Sequence, residues 1–278
     1  MYTVKGIGTM NKPYPSDYLE KNRATWNART AHHIGSEFYD MKGFRAGKSS
    51  LNQIELDLLG DVQGKTILHL QCHFGQDSFS LSRMGAKVTG VDLSDAAIAQ
   101  AQALNSELGL DARFICCDLY DLPQHLDETF DIVFTSYGTI GWLPDLERWA
   151  TLVAQYLKPG GRFVFAEFHP VVWMFDNDLK EVAYRYFCDA AIEEVEEGTY
   201  ADTAAPIRTE SVSWNHGLAE VIGNLLGQGL RLTAFQEFDY SPYACFRHVE
   251  EVAPGRYQIA HLGNKIPLVY ALAAQKPA

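Results

Sequence analysis

Four groups of residues recur at intervals where they could bind one ligand. The first is the turn Gln71-Cys72-His73-Phe74-Gly75, with His69 two residues before it. Gly75 lets backbone approach a ligand closely, and a helix starting beyond it would offer free N–H groups to an anion. The second is Asp92-Leu93, a carboxylate able to accept from two ribose hydroxyls. The third is Asp118-Leu119, after Cys116-Cys117, placed to accept from an exocyclic amine such as that of adenine. The fourth is Ser136-Tyr137, within Thr135-Ser136-Tyr137-Gly138, a polar lip on the same cleft. Together they match a ligand made of a carboxylate or phosphate, then a ribose, then adenine.

Such residues must sit at the ends of strands to converge. Apolar runs at 66–70, 87–91, 112–117, 130–136 and 162–168 predict five strands. Each group above falls at or just past the end of one of them. Helices are predicted between them. Gln76 to Met84 closes on Gly85. Ser94 caps a run to Leu108, with Ile98, Ala101, Leu104 and Leu108 on one face. Leu146 to Tyr156 follows the fourth strand, and Lys158-Pro159-Gly160-Gly161 reads as a turn. The alternation implies a parallel sheet with right-handed crossovers, and open sheets of this kind bind ligands beyond the strands' carboxyl ends. Asn215 to Gln228 predicts a further helix, Leu230 to Phe238 a sixth strand and Leu268 to Ala273 a seventh.

The residues at these positions resemble the class I S-adenosylmethionine-dependent methyltransferases. The glycine-motif position is taken by His69-Leu70-Gln71-Cys72-His73-Phe74-Gly75, the acid after the second strand by Asp92, and the acid after the third by Asp118. Phe130-Asp131-Ile132-Val133 and Leu157-Lys158-Pro159-Gly160-Gly161-Arg162 also look like that family. The resemblance implies a Rossmann-like α/β fold with a seven-stranded, mostly parallel sheet, a reversed last strand and helices on both faces. It implies S-adenosyl-L-methionine as cofactor, held by His69, Gln71, Cys72, Gly75, Asp92, Leu93, Asp118, Leu119, Ser136 and Tyr137. One departure stands out. The family commonly has an acid and three glycines in the first loop; this chain has His69 and keeps only Gly75. The group that holds the cofactor's amino end is therefore open, with Gln71 and backbone carbonyls as substitutes. A nicotinamide-dependent oxidoreductase would also use an acid after the second strand, but its Gly-x-Gly-x-x-Gly loop is absent.

The acceptor side is read from the remainder. Residues 1–50 are expected to form an arm and a helical cover, and residues 51–278 the methyltransferase domain, with an insertion at about 169–212. Trp26, His33, Tyr39 and Trp173 are the expected substrate-binding residues, and Glu167 and Tyr137 could shape the acceptor pocket. Aromatic faces suit a sulfonium cation and a small, partly apolar acceptor. Methyl transfer needs alignment and sometimes a base. His169, after the fifth strand, and His216, at the opening of the last predicted helix, are the candidates. Cys116-Cys117 lies within a predicted strand and reads as core. Gly47-Lys48-Ser49 lacks the earlier glycine and the strand that a phosphate-binding loop needs. Val182 to Cys188 and Ile207 to Trp214 could be strands within the insertion.

The bulk numbers narrow the partners. A net charge of −12 disfavours a nucleic-acid backbone. No apolar run approaches the roughly 20 residues of a membrane span. Five cysteines fit neither a disulfide framework nor a zinc pattern, so no metal is expected and a reducing cytoplasm is the simplest compartment. Small-molecule methyl transfer is the leading reading. A non-catalytic cofactor-binding protein of the same fold, or an RNA or protein methyltransferase, are the alternatives. The acceptor atom, the need for a base and the oligomeric state are not legible.

Overall fold

The computed structural model describes residues 14–278. Most of the expected N-terminal arm, residues 1–13, lies outside the described residues. Three helices open the chain: α1 (Tyr18–Gly35), α2 (Met41–Arg45) and α3 (Gln53–Leu59). Asp17 occupies the cap position of α1. A capping box starts α3: Asn52 and Glu55 satisfy each other's backbone N–H groups.

Five strands and three helices then alternate. They are β1 (Thr66–Leu70), α4 (Gln76–Arg83), β2 (Lys87–Asp92), α5 (Asp95–Leu108), β3 (Arg113–Cys116), β4 (Phe130–Ser136), α6 (Leu146–Tyr156) and β5 (Leu157–Phe168). Ser94 accepts from Ala97 N–H and caps α5, as the sequence predicts. The Lys158–Gly161 turn is absorbed into β5 as an irregular start. Its register with β4 breaks between Leu157, paired with Phe130, and Arg162, paired with Ile132.

The rest of the chain adds β6 (Ile192–Glu197), β7 (Arg208–Ser213), α7 (Leu218–Gly227), β8 (Arg231–Phe238), β9 (Val249–Ala253), β10 (Arg256–Ile259) and β11 (Val269–Gln275). The main sheet has seven strands in the order β3-β2-β1-β4-β5-β11-β8, and β11 runs antiparallel to both neighbours. Parallel register brings Leu70 level with Val91, Asp92 with Cys116, and Ser136 with Ala166. The four predicted residue groups therefore end on one edge.

Strand side chains alternate between faces. Leu68 and Leu70 join the cluster built on α6 and α7, with Trp149, Phe163 and Val221. Ile67 joins the cluster on α4 and α5, with Phe79, Ala101 and Leu104. His69 shares the face of Ile67 and meets Ser78 of α4. Trp149 packs on Phe163 and Phe165 with ring centroids 5.5 and 5.7 Å apart. Its truncation to Ala would cost about 3–5 kcal/mol.

Two covers sit over the ligand edge. The first joins α1 to the β6–β7 hairpin. The Asn22 amide donates to Val212 O and accepts from Val212 N–H, both at 2.8 Å, as a neighbouring strand would. Thr25 adds a hydroxyl bond to Glu210 O at 2.6 Å. The expected strand at Val182–Cys188 does not form. Only Phe175 bridges Val182, and the Asn215 amide takes up the carbonyls of Trp173 and Arg185. The second cover was not anticipated. Residues 239–267 leave the sheet between β8 and β11 and carry the β9–β10 hairpin. No helix among the described residues is long and apolar enough to cross a membrane.

Candidate functional site

A cavity of about 1140 Å³ opens along this edge, between the sheet and the two covers. Single drug-sized ligands occupy sites of roughly 300–1,000 Å³, so the space suits two ligands side by side.

The turn after β1 forms its floor. Gln71, His73 and Gly75 all adopt left-handed backbone, with φ of 54°, 51° and 85°. For Gln71 and His73 this costs on the order of 1–3 kcal/mol each, and the surroundings hold them there. Gln71 Nε2 donates to Thr139 O at 2.8 Å, while its Oε1 is buried with no partner. Gly75 is required twice over: its φ is positive, and a Cβ would meet the Phe114 ring at 2.9 Å. Cys72 fills the space left by Gly90, where a Cβ would lie 2.8 Å from its Sγ. Burial pushes the Cys72 thiol well up, which makes it inert packing.

Asp92 ends β2. Its Oδ2 accepts from His73 N–H at 2.7 Å and its Oδ1 from Ser94 N–H at 2.9 Å. Burial raises its pKa to about 6 against those bonds. Each oxygen keeps a lone pair. Asp118 follows β3, accepts from Tyr120 N–H at 3.2 Å and is raised by burial. Leu93 and Leu119 line the wall between the two acids.

His69 stands where the resembled family has an acid. Burial lowers it to about 4, so it is neutral and acts through its 2.8 Å contact with Ser78 Oγ. The negative charge sits instead on Asp77, in the first turn of α4, which the sequence reading missed. Asp77 takes hydroxyls from Ser50 at 2.6 Å and Ser136 at 3.0 Å, and makes no ion pair among the described residues. Asp77 and the orphaned Gln71 Oε1 thus offer acceptors to a cation on the cavity wall.

The structure places all ten expected cofactor residues on this cavity. Of the expected acceptor residues, Trp26, Tyr39 and Trp173 line it, and His33 does not. His33 lies behind the wall, where its Nδ1 meets His73 Nε2 at 3.0 Å. Burial lowers both rings, His33 to about 3, so the pair is neutral and a weak base. Tyr39 bonds Tyr200 from the first cover, and Tyr243 and Phe246 come from the second.

The proposed catalytic role of His169 needs correction. Its Nε2 meets Glu237 at 2.9 Å, its Nδ1 accepts from Val171 N–H, and it does not line the cavity. Both ring nitrogens are committed elsewhere. His216 does reach the wall, but its Nε2 donates to Leu143 O at 2.8 Å. Glu167 also serves the scaffold. It accepts from the N–H groups of Gly138, Thr139 and Ile140 and from the Thr139 hydroxyl, which fixes the loop after β4.

A second missed group is Glu55, on α3. It is fully buried, and Asn52 N–H donates to its Oε1 at 2.6 Å. The Tyr137 hydroxyl, on the cavity wall, donates to Oε2 at 2.7 Å. Burial, then the charge of Asp77, raise Glu55 to about 7. A carboxylate that titrates near neutrality, one hydroxyl away from a cavity, is suited to proton transfer.

Known proteins give the geometry a family. A family model described as a methyltransferase domain matches residues 67–161. A ubiquinone biosynthesis O-methyltransferase of Alkalilimnicola ehrlichii is 28% identical over 135 residues, covering 47% of this chain and 54% of that protein. The chain thus spans about half the length of the curated relatives it matches. An S-adenosylmethionine-dependent methyltransferase of Clostridium acetobutylicum superposes with a TM-score of 0.58 at 16% identity, over 90% of this chain and 98% of the other. A structure described as a DhpI–SAH complex gives a TM-score of 0.54 at 20% identity, over 95% and 100%. Residues 67–161 match a methyltransferase domain, and the fold of the sheet that contains them is the one seen in solved S-adenosylmethionine-dependent methyltransferases.

Proposed function

We propose that the chain binds S-adenosyl-L-methionine and transfers its methyl group to a small-molecule acceptor. The observation that carries this reading is the spacing of three carboxylates along one cavity wall: Asp77, Asp92 and Asp118, each held by neutral donors. Asp92 would take the ribose hydroxyls, Asp118 the adenine amine, and Asp77 with Gln71 the amino group. The cofactor supplies an already activated methyl group on a sulfonium, so the protein need only align and, for some acceptors, deprotonate. Tyr137 and Glu55 are our choice for that proton: the tyrosine hydroxyl relays it to a carboxylate poised near 7. The space between Tyr39, Tyr200 and Tyr243 would hold the acceptor. A small, partly apolar molecule suits it, as the printed name of the ubiquinone relatives also suggests. All five cysteines are free, which is compatible with a reducing, cytoplasmic setting.

Calorimetric titration with S-adenosylmethionine is the test of binding, followed by release of S-adenosylhomocysteine on addition of metabolite fractions. A folded protein that does not bind the cofactor overturns the proposal. Binding without turnover on any fraction leaves the non-catalytic reading instead. For the dyad, Glu55→Gln should abolish an activity limb near pH 7 while cofactor affinity holds. A limb that persists removes Glu55 from proton transfer.

A further inference from the structure

We infer that Cys188, His216 and Glu220 form a binding site for a borderline-soft divalent cation, with zinc as the best match. One ligand atom from each residue lies within 4.8 Å of the other two. A thiol, an imidazole and a carboxylate are the donor types that tetrahedral zinc takes, and three protein ligands leave one position open.

The geometry around His216 makes this more than proximity. Its Nε2–H donates to Leu143 O at 2.8 Å, which turns Nδ1 toward Cys188 and Glu220. A ligating histidine ordinarily has its second nitrogen tied to a carbonyl or carboxylate in this way. That Nδ1 is buried and has no hydrogen-bond partner. Glu220 Oε2 lies 3.2 Å from it, at ion-pair distance. His216 is 3% exposed, so its Nδ1 is cut off from water. A proton shared between Nδ1 and the carboxylate holds the pair at this distance, and a bound cation would displace that proton to solvent. The third donor comes from the far side of the first cover. Tyr186 lies over Gly217, where a Cβ would be 2.6 Å from its ring, and its hydroxyl accepts from Leu218 N–H at 3.1 Å. This contact brings Cys188, two residues on, to the start of α7.

Bound there, the cation joins three parts of the chain: the segment after β5, the start of α7 and, through Leu143, the loop after β4. Cys188 coordinates as thiolate and its proton leaves to solvent. The site is independent of methyl transfer and rests on its own residues.

The test uses the full chain, treated with chelator and then titrated with cobalt(II). The expected result is one equivalent bound with the absorption of tetrahedral cobalt and a thiolate charge-transfer band, displaced by zinc. Cys188→Ala should abolish that band, and Glu220→Gln should weaken binding by about 10–100-fold. Circular dichroism checks that both variants, at half-exposed positions, are folded. Absence of tetrahedral cobalt in the folded wild type overturns the inference. So does an unchanged spectrum in Cys188→Ala, which would place the metal on another cysteine such as the exposed Cys116. A proton alone on His216 would give no cobalt signal at all.

Discussion

Asp92 should make cofactor binding depend on pH, and the sign can be worked out. Its ordinary value is 3.8 and the folded protein raises it to about 6. In the ligand-free protein the native state therefore binds a proton that the unfolded chain has released between pH 4 and 6. Stability from this group rises as pH falls through that window. At neutral pH its buried charge costs up to about 3 kcal/mol, less whatever water in the cavity screens. Two hydroxyl donors from a ribose stabilise the carboxylate and relieve that cost. Binding must then release a proton near pH 6, and affinity must weaken as pH falls. Over the step from pH 6 to 5 the loss is about fivefold, as the charged fraction falls from about half to about a tenth. Calorimetry at pH 7.5, 6 and 5, in buffers of different ionisation enthalpy, reads both affinity and proton release. Asp92→Asn cannot titrate. It should bind more weakly at pH 7.5, by about 1–3 kcal/mol, with a flatter profile. Wild-type affinity that is equal at pH 7.5 and 5 would refute the reasoning, as would an Asn variant that keeps the wild-type slope.

Three further outcomes are expected. Asp77→Asn should weaken S-adenosylmethionine by about 1.5–3 kcal/mol, yet leave methylthioadenosine, which lacks the amino-acid portion and its α-amino group, almost unchanged; competition binding compares the two, and equal losses would take Asp77 away from that amino group. Gly75→Ala combines a positive φ with a contact to Phe114, and should lower stability by about 1–3 kcal/mol and cofactor affinity with it, read by denaturant melts and calorimetry. His169→Gln should leave cofactor affinity within twofold and show its effect in stability, because both ring nitrogens bind the protein; a selective loss of turnover would return His169 to the chemistry.

The sheet was readable because parallel strands are buried on both faces and spell out apolar runs. Once they align, their ends must share an edge, so Asp92 and Asp118 could be placed from order alone. Distance along the chain says less about where a side chain points. His169 sits at a strand end, but it turns toward Glu237 on β8, a neighbour 68 residues later in the chain. Asp77 and Glu55 were hidden for another reason. An acid in the first turn of a helix is what capping and the helix dipole favour anyway, and Glu55 does fill a capping box. Only the cavity beside them reveals a second use. The 239–267 cover has no regular periodicity, and its aromatic residues gave no sign of which surface they would face. Asn215 likewise replaced a ladder by two side-chain bonds, which no strand pattern could announce.

The double bond pair between Asn22 and Val212 has a kinetic meaning. It couples α1 to the β6–β7 hairpin, and buried Arg29 adds an ion pair to the partly exposed Glu196 on the same seam. The two pieces behave as one shutter. His33 on that shutter leans against His73 of the cofactor turn, while Tyr200 on its hairpin borders the acceptor space. A methyl donor and an acceptor bound on either side of this seam would meet it as one shared barrier to release. Their release rates should rise and fall together when the seam is loosened.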